Sequence, residues 1–390
     1  MRDTTIVNVI GRRVWTAVGT PALEAEVRLG CGARGRATTS PASPWTAAQP
    51  PASAVAAVNG LFAAALHGLD ARRQEDVDAT LTKLEIGGDP GVTRAAIAAC
   101  SIAAAHAAAR ALGTPLFRYL RAGPPARMPL PAVDVIAATA SASPFRALML
   151  VPFAAEGVDE ALALAIAIQH AVAERRGAGL AVDEQALEVV FGAIERSGFV
   201  PAEEVGVAVD VGASRLYRDG RYQCGATDYD ADGWSERLVR LVNDYPVASL
   251  EDPFADAGDL ARFTPQVDER ARVVGNQLFA SDAQRIAAAA SDGLASGVCL
   301  RAEAAGTVTA LRVAVEAARL AAWPVFFAGD GAIEDASLAH LATAWQSSYI
   351  KLAGVGRGSL AGWNELIRIE AELRPSASLL HIESAARLVH

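Results

Sequence analysis

The sequence predicts a small α+β domain followed by an α/β barrel, with the division near residue 125 (residues 1–125, then 126–390). Three observations carry this. The first part reads as strands and then helices, the order of an α+β unit. Beyond Pro129, short apolar strand candidates alternate with helical stretches. Equivalent strand-end positions there fall at 251, 276, 301, 327 and 351, in steps of 25, 25, 26 and 24. Such a run of β-α units, joined by right-handed crossovers, favours a closed parallel barrel. The rival is a doubly wound sheet, but no Gly-x-Gly-x-x-Gly follows the first strand of any unit.

Taken in order, residues 5–15 and 23–29 are β-rich. The second segment alternates Leu23, Ala25, Val27 and Leu29 with Glu24, Glu26 and Arg28, the period of a half-buried antiparallel strand. Residues 31–39 form its hairpin partner across Gly30-Cys31-Gly32. Residues 38–51 carry Pro41, Pro44, Pro50 and Pro51 and have no period, so they are a loop. Helices follow over residues 52–67, 71–83 and 92–112, the last stopped by Gly113-Thr114-Pro115. In the barrel, strands over residues 132–136, 146–152 and 179–182 precede six later ones and bring the total near closure.

Composition narrows the function classes. Hydrophobic residues make up 52% and charged ones 20%, enough for a large core and against wholesale disorder. With 35 basic and 44 acidic side chains the net charge is −9, which argues against a nucleic-acid binder. No apolar run approaches the ~18 residues of a membrane span. The start lacks the apolar core and cleavage site of a signal peptide, so a cytoplasmic protein is expected. Cys31, Cys100, Cys224 and Cys299 are too scattered for a disulfide scaffold or a zinc site. No histidine marks a strand end, which leaves a nucleophile triad without its base.

A parallel barrel gathers its site from the C-terminal ends of its strands. Asp210, Glu251, Asn276, Arg301 and Lys351 stand at such ends and become neighbours in space. Two carboxylates and an amide oxygen are hard ligands suited to Mg²⁺, and two cations on later strands suit an anionic substrate. A single charge of this kind is as often a salt-bridged rim residue, but five in successive units argue for a ligand. Glycines after Lys351, together with Arg357, make either an anion site or a flexible exit turn. Ser43, in the proline loop, is either a lid residue reaching the substrate or an ordinary loop serine.

With these residues in hand, the chain resembles the enolase family over nearly its whole length. Residues Val18-Gly19-Thr20-Pro21-Ala22-Leu23-Glu24-Ala25-Glu26-Val27 look like the family's Arg-Gly-Asn-Pro-Thr-x-Glu-x-Glu-x opening. Tyr245-Pro246-Val247-Ala248-Ser249-Leu250-Glu251-Asp252-Pro253 is close to its Tyr-Pro-x-x-x-Ile-Glu-Asp-Pro segment, the most specific match. Lys351 and Trp363-Asn364-Glu365-Leu366 resemble its closing signature. The resemblance implies a capping domain before a TIM-like barrel, a homodimer, and Mg²⁺-assisted dehydration of 2-phosphoglycerate to phosphoenolpyruvate.

The departures fall on that machinery. The family's three metal carboxylates correspond to Asp210, Glu251 and Asn276, so the third has lost its charge and a weakened Mg²⁺ site is expected. The lysine base corresponds to Arg301, which stays protonated and cannot take a proton. The acid-bearing loop is nearly missing between Gly179 and Ala186, where Asp183-Glu184 read as a helix start. The family's Gln-Glu pair corresponds to Arg146-Ala147, its phosphate grip to Phe327-Ala328-Gly329-Asp330, and its lid to Ser40-Pro41-Ala42-Ser43. Each lost acid or base removes about 10²–10⁴ in rate. The expected function is therefore altered chemistry on a small phosphorylated or phosphonate carboxylic acid, with Arg301 and Lys351 as the reactive pair and Ser43, Lys351 and Arg357 as substrate contacts. Group transfer in a phosphonate natural-product pathway, as in carboxyphosphonoenolpyruvate synthesis, is one such chemistry. A non-catalytic binding homologue is the alternative, and a true phosphopyruvate hydratase ranks last.

Overall fold

Alternating side chains in the N-terminal stretch produce the expected antiparallel sheet. The computed structural model describes residues 2–40, 51–85, 93–121, 127–138, 143–175, 181–352, 354, 358, 360–373 and 379. Strands β1 (Ile6–Trp15), β2 (Pro21–Leu29) and β3 (Arg34–Thr39) pair in that order, both pairs antiparallel. Leu23, Ala25 and Val27 line the core face. The other face of β2 is not left to water. Glu26 is buried there and accepts from Arg28 Nε at 2.5 Å and Arg36 Nε at 2.6 Å, with Arg12 Nη1 at 3.3 Å. Burial alone would raise its pKa, but these guanidinium groups hold it down at about 2.

The expected helix over residues 52–67 is instead interrupted. Helices α1 (Pro51–Ala57) and α2 (Ala63–Leu66) are joined by a π turn, Val58–Phe62. Asn59 Oδ1 accepts from Gly11 N and its Nδ2 donates to Gly11 O, each at 3.0 Å, which pins the irregular turn to β1. Helices α3 (Gln74–Glu85) and α4 (Arg94–Leu112) follow. Thr93 caps α4 by accepting from Ala96 N, and Gly113, at φ 71°, ends it in the left-handed region. By length and composition α4 is apolar enough to cross a membrane, yet most of it is buried in the protein. Its alanines lie against β2 and β3, where short side chains permit close approach. A short α5 (Leu116–Tyr119) leads to the barrel.

The barrel comprises β4 (Leu130–Ala137), β5 (Ala147–Pro152), β6 (Val205–Asp210), and, after a small sheet of β7 (Tyr217–Arg218), β8 (Arg221–Cys224) and β9 (Thr227–Tyr229), strands β10 (Val247–Glu251), β11 (Arg272–Gly275), β12 (Gly297–Leu300), β13 (Val325–Ala328) and β14 (Tyr349–Leu352). It closes in the order β10-β11-β12-β13-β14-β4-β5-β6. The strands from β10 to β14 fall at the positions that the 25-residue period predicts. Helices α6 (Val158–Arg175) and α7 (Glu184–Arg196) link β5 to β6, and α8 (Ala231–Asp244) precedes β10. Outside the later strands lie α9 (Ala257–Val267), α10 (Ala283–Ser291), the short α11 (Ala302–Ala305), α12 (Val308–Leu320), α13 (Ser337–Ala344) and α14 (Ala361–Leu373).

Two expectations are corrected. The barrel is not wholly parallel, because β5 runs antiparallel to both β4 and β6. Residues 138–146 are too few for the crossover of about a dozen or more residues that a parallel pair needs. Of the strand expected over residues 179–182, the described residues 181 and 182 are not in a strand. Residues 179 and 180 lie outside the described residues, and Val182 is in a bend before Asp183, which caps α7 by accepting from Gln185 N and Ala186 N. Because β5 pairs directly with β6, closure does not require that strand.

The N-terminal elements seat on one end of the barrel. Asp335 Oδ2 accepts from Thr38 N at 2.7 Å, and Asp330 Oδ2 accepts from Ser40 Oγ at 2.7 Å. Buried Asp78 accepts from Ser101 Oγ at 2.6 Å and from Thr309 N at 2.8 Å, tying α3 and α4 to α12. A close fit against backbone within the N-terminal part is at Gly35, where a Cβ would lie 2.0 Å from Ala103 O. Gly35→Ala is expected to cost about 3 kcal/mol in chemical unfolding. An unchanged midpoint would show that α4 can move off the sheet.

Candidate functional site at the barrel mouth

Strand register, not sequence proximity, assembles the site. Asp210 ends β6 and pairs with Glu251 at the end of β10 and with Ala147 at the start of β5. Because β5 is reversed, the residue before it, Arg146, stands at the C-terminal end of β6. Its backbone N donates to Asp210 O at 2.7 Å, and its Nε donates to Asp210 Oδ2 at 2.9 Å. A second donor, Nη2, bonds the same oxygen and lies 3.6 Å from Glu251 Oε1. Lys351 reaches in from β14, donating from Nζ to Asp210 Oδ2 and to Glu251 Oε2, the latter at 3.1 Å. Asn276 follows β11, and its Nδ2 donates to Glu251 Oε1 at 2.8 Å.

The electrostatics follow from burial and pairing. Asp210, Glu251 and Asn276 are all buried. Burial would raise the Asp210 pKa, but Lys351 and Arg146 hold it at about 2. Burial likewise opposes the charge on Lys351, yet Asp210 and Glu251 push its pKa above the ordinary lysine value. The Asp210 charge raises that of Arg146. Around this network lie two carboxyls of the opposite kind. Burial lifts Asp134, on β4, to about 6. Burial and the neighbouring Glu251 lift Asp252 to about 7, although it accepts from Asn276 N at 2.8 Å and Gln277 N at 3.2 Å.

Four of the five strand-end residues expected to converge are therefore joined by hydrogen bonds, namely Asp210, Glu251, Asn276 and Lys351. Arg301 is not part of that network. It follows β12, and its backbone N donates to Ser281 Oγ at 2.9 Å. Its guanidinium has no hydrogen bond or ion pair among the described residues. Two positions on, Glu303 is buried, Oε2 is without a hydrogen-bond partner among the described residues, and burial raises its pKa. Glu303 also lines a cleft of about 410 Å³ beside the mouth, with Arg94, Asp282 and Arg285. Asp330, in the segment that corresponds to the phosphate grip, is turned to the N-terminal part by its bond to Ser40. Ser43 and Arg357 lie outside the described residues. Glu184, at the start of α7, pairs with Arg237 at 2.8 Å and not with the mouth.

The residues at the carboxylate corner do not fit Mg²⁺. That ion needs near-octahedral oxygens at about 2.0–2.1 Å. Here Asp210 Oδ2 and both Glu251 oxygens accept N–H donors, leaving Asp210 Oδ1 as the buried oxygen of the pair without a partner among the described residues. Asn276 must point its NH₂, not its oxygen, at Glu251, because a carboxylate only accepts. A dication about 4 Å from Arg146 or Lys351 would meet roughly 8 kcal/mol of repulsion at an effective dielectric constant of about 20. Among the described residues no group of three or more His, Cys, Asp or Glu is arranged to hold a metal ion.

Three participants escape a strand-end reading. Arg146 belongs to the start of a strand, and the short 138–146 connection is the signal that it shares the mouth. Asp134 is the one charge inside an otherwise apolar β4. Glu303 lies beyond its strand end, in α11.

Two family models match the chain. One, described as enolase, N-terminal domain, covers residues 6–120. The other, described as enolase, C-terminal TIM barrel domain, covers residues 125–386.

The opposed carboxyls set a pH profile. Asp134 and Asp252 have folded pKa values above the ordinary 3.8, so their contribution to stability is full below about pH 4 and is lost as pH rises through about 6 and about 7. Asp210 has the opposite sign, and its contribution is lost as pH falls through about 2. The thermal midpoint is expected to fall between about pH 4 and about pH 8, and Asp252→Asn to flatten that fall by an amount on the order of a few kcal/mol. An identical slope in the variant would remove Asp252 from the account.

Proposed function

Since the chain belongs to the enolase family, we propose that its barrel mouth takes a small phosphorylated or phosphonate carboxylic acid without dehydrating 2-phosphoglycerate. The observation that carries this reading is Arg301, a guanidinium at a strand end with no ion pair among the described residues. An arginine there binds and orients an oxyanion with several N–H donors. It does not serve as a base, because it stays protonated at any working pH. The exposed edge of Arg146 is a second source of donors, whereas Asp330 repels an anion from the end of β13.

Enolase-family proteins generally use Mg²⁺ to hold charge on the substrate. In this reading that charge is held by arginine and lysine. A fixed guanidinium stabilises charge that develops in transfer of a phosphoryl- or phosphonyl-type group, without exchanging protons itself. Transfer of this kind, rather than loss of water, is the chemistry that the site favours. A second reading, a binding homologue without catalysis, draws on a specific feature: Asp210 and Glu251 are already engaged by the protein's own cations.

The test is a thermal-shift screen over phosphoglycerates, phosphoenolpyruvate and phosphonocarboxylates. At least one is expected to stabilise the protein, with Arg301→Gln weakening its apparent affinity about 10- to 100-fold. No conversion of 2-phosphoglycerate to phosphoenolpyruvate at an ordinary enzymatic rate is expected, and such a rate would overturn the proposal. A blank screen with folded protein would leave the non-catalytic reading ahead.

A further inference from the structure

We propose that Arg146 is a tethered replacement for a divalent cation, so that the carboxylate corner of this barrel carries its positive charge permanently and does not take up Mg²⁺. The inference concerns the same site as the proposed function but does not depend on which anion binds there.

Three observations converge on it. Asp210 and Glu251 are buried carboxylates facing one region, the arrangement of a cation site; Lys351 Nζ bridges them, and the guanidinium of Arg146 stands beside it with Nη2 on Asp210 and 3.6 Å from Glu251. It is anchored twice, through its backbone N to Asp210 O and through Nε to Asp210 Oδ2. The corner's charge is also already balanced. Two carboxylates meet two fixed cations, Arg146 and Lys351, and the third position is the neutral Asn276, whose amide donates to Glu251 rather than offering an oxygen inward. A neutral residue at the third position and a guanidinium at 146 both reduce the pull on a dication. Finally, the Arg146 side chain is 37% exposed although its carboxylate partners are buried. Nη1 makes no hydrogen bond among the described residues, so an edge of the partly exposed guanidinium is left with unused donors. That edge offers paired N–H donors to the oxygens of an anionic substrate.

The test uses Mg²⁺ and Mn²⁺ alone, with no anion present, so its failure is separate from that of the ligand screen. For the unaltered protein the thermal midpoint is expected to be the same in excess Mg²⁺ and in EDTA. A Mn²⁺ titration followed by electron paramagnetic resonance is expected to show only free ion. The double variant Arg146→Gln with Asn276→Asp removes the tether and restores a third carboxylate. It is expected to gain saturable Mn²⁺ binding and a Mg²⁺-dependent rise of several degrees in its midpoint. Arg146→Lys, which keeps the charge, is expected to stay silent. Saturable binding of Mn²⁺ by the unaltered protein overturns the proposal, and so does a natively folded double variant that binds neither ion. If the double variant does not fold, the titration of the unaltered protein decides alone: bound ion refutes the tether, free ion supports it.

Discussion

A parallel strand pair needs a connection of about a dozen residues or more, and residues 138–146 cannot supply it. The chain must turn back at once, so β5 enters the barrel against the direction of both neighbours. Every other strand presents its last residue to the mouth, and β5 presents its first. That reversal sets the residue before β5 beside the end of β6, and the residue there is an arginine. The charge pattern of the site follows from this placement. Without the reversal, Arg146 would lie at the far end of the barrel and Asp210 would have Lys351 alone.

The network it creates illustrates how little a buried ion pair says about stability and how much about identity. Withdrawing carboxylates and cations from water together often yields no net gain over an apolar cluster of the same volume. Removing one partner is different, because it leaves an uncompensated charge in the interior at a cost of about 3–5 kcal/mol. The corner therefore tolerates loss of any one member poorly, even where the whole adds little to the fold. Glu26 repeats the logic in the N-terminal sheet, where three arginines surround one buried carboxylate. Both sites enforce one arrangement of charge.

Much of this was legible in the sequence, for reasons that differ by element. The later barrel strands were readable because each β-α unit spends a similar length of chain, and the 25-residue period records that length. Asp210, Glu251, Asn276 and Lys351 were readable as neighbours because parallel strands place their ends together. The strand-end rule did not place Arg146 among them, since it looks at the wrong end of a reversed strand; only the family resemblance pointed to it. The strand expected over residues 179–182 rested on apolar character alone; its described residues, 181 and 182, lead into the helix that Asp183 caps. The π turn of residues 58–62 depends on Asn59 meeting Gly11 across the sheet, a tertiary contact that no local pattern announces. Arg301 was located correctly in sequence, but its separation from the hydrogen-bonded four is a matter of side-chain reach.

The bonds that seat the N-terminal sheet join distant parts of the chain. Thr38 N bonds Asp335 across 297 positions, and Asp78 bonds Thr309 N across 231. On a ribosome, the sheet and its helices are complete while the partners that will hold them are still untranslated. The first part to be made is consequently among the last to be locked in place, and until then Asp78 must lack one of the donors that its burial requires. Closing such long loops is entropically slow. A nascent chain of this protein carries its capping elements as a tethered passenger for most of its synthesis.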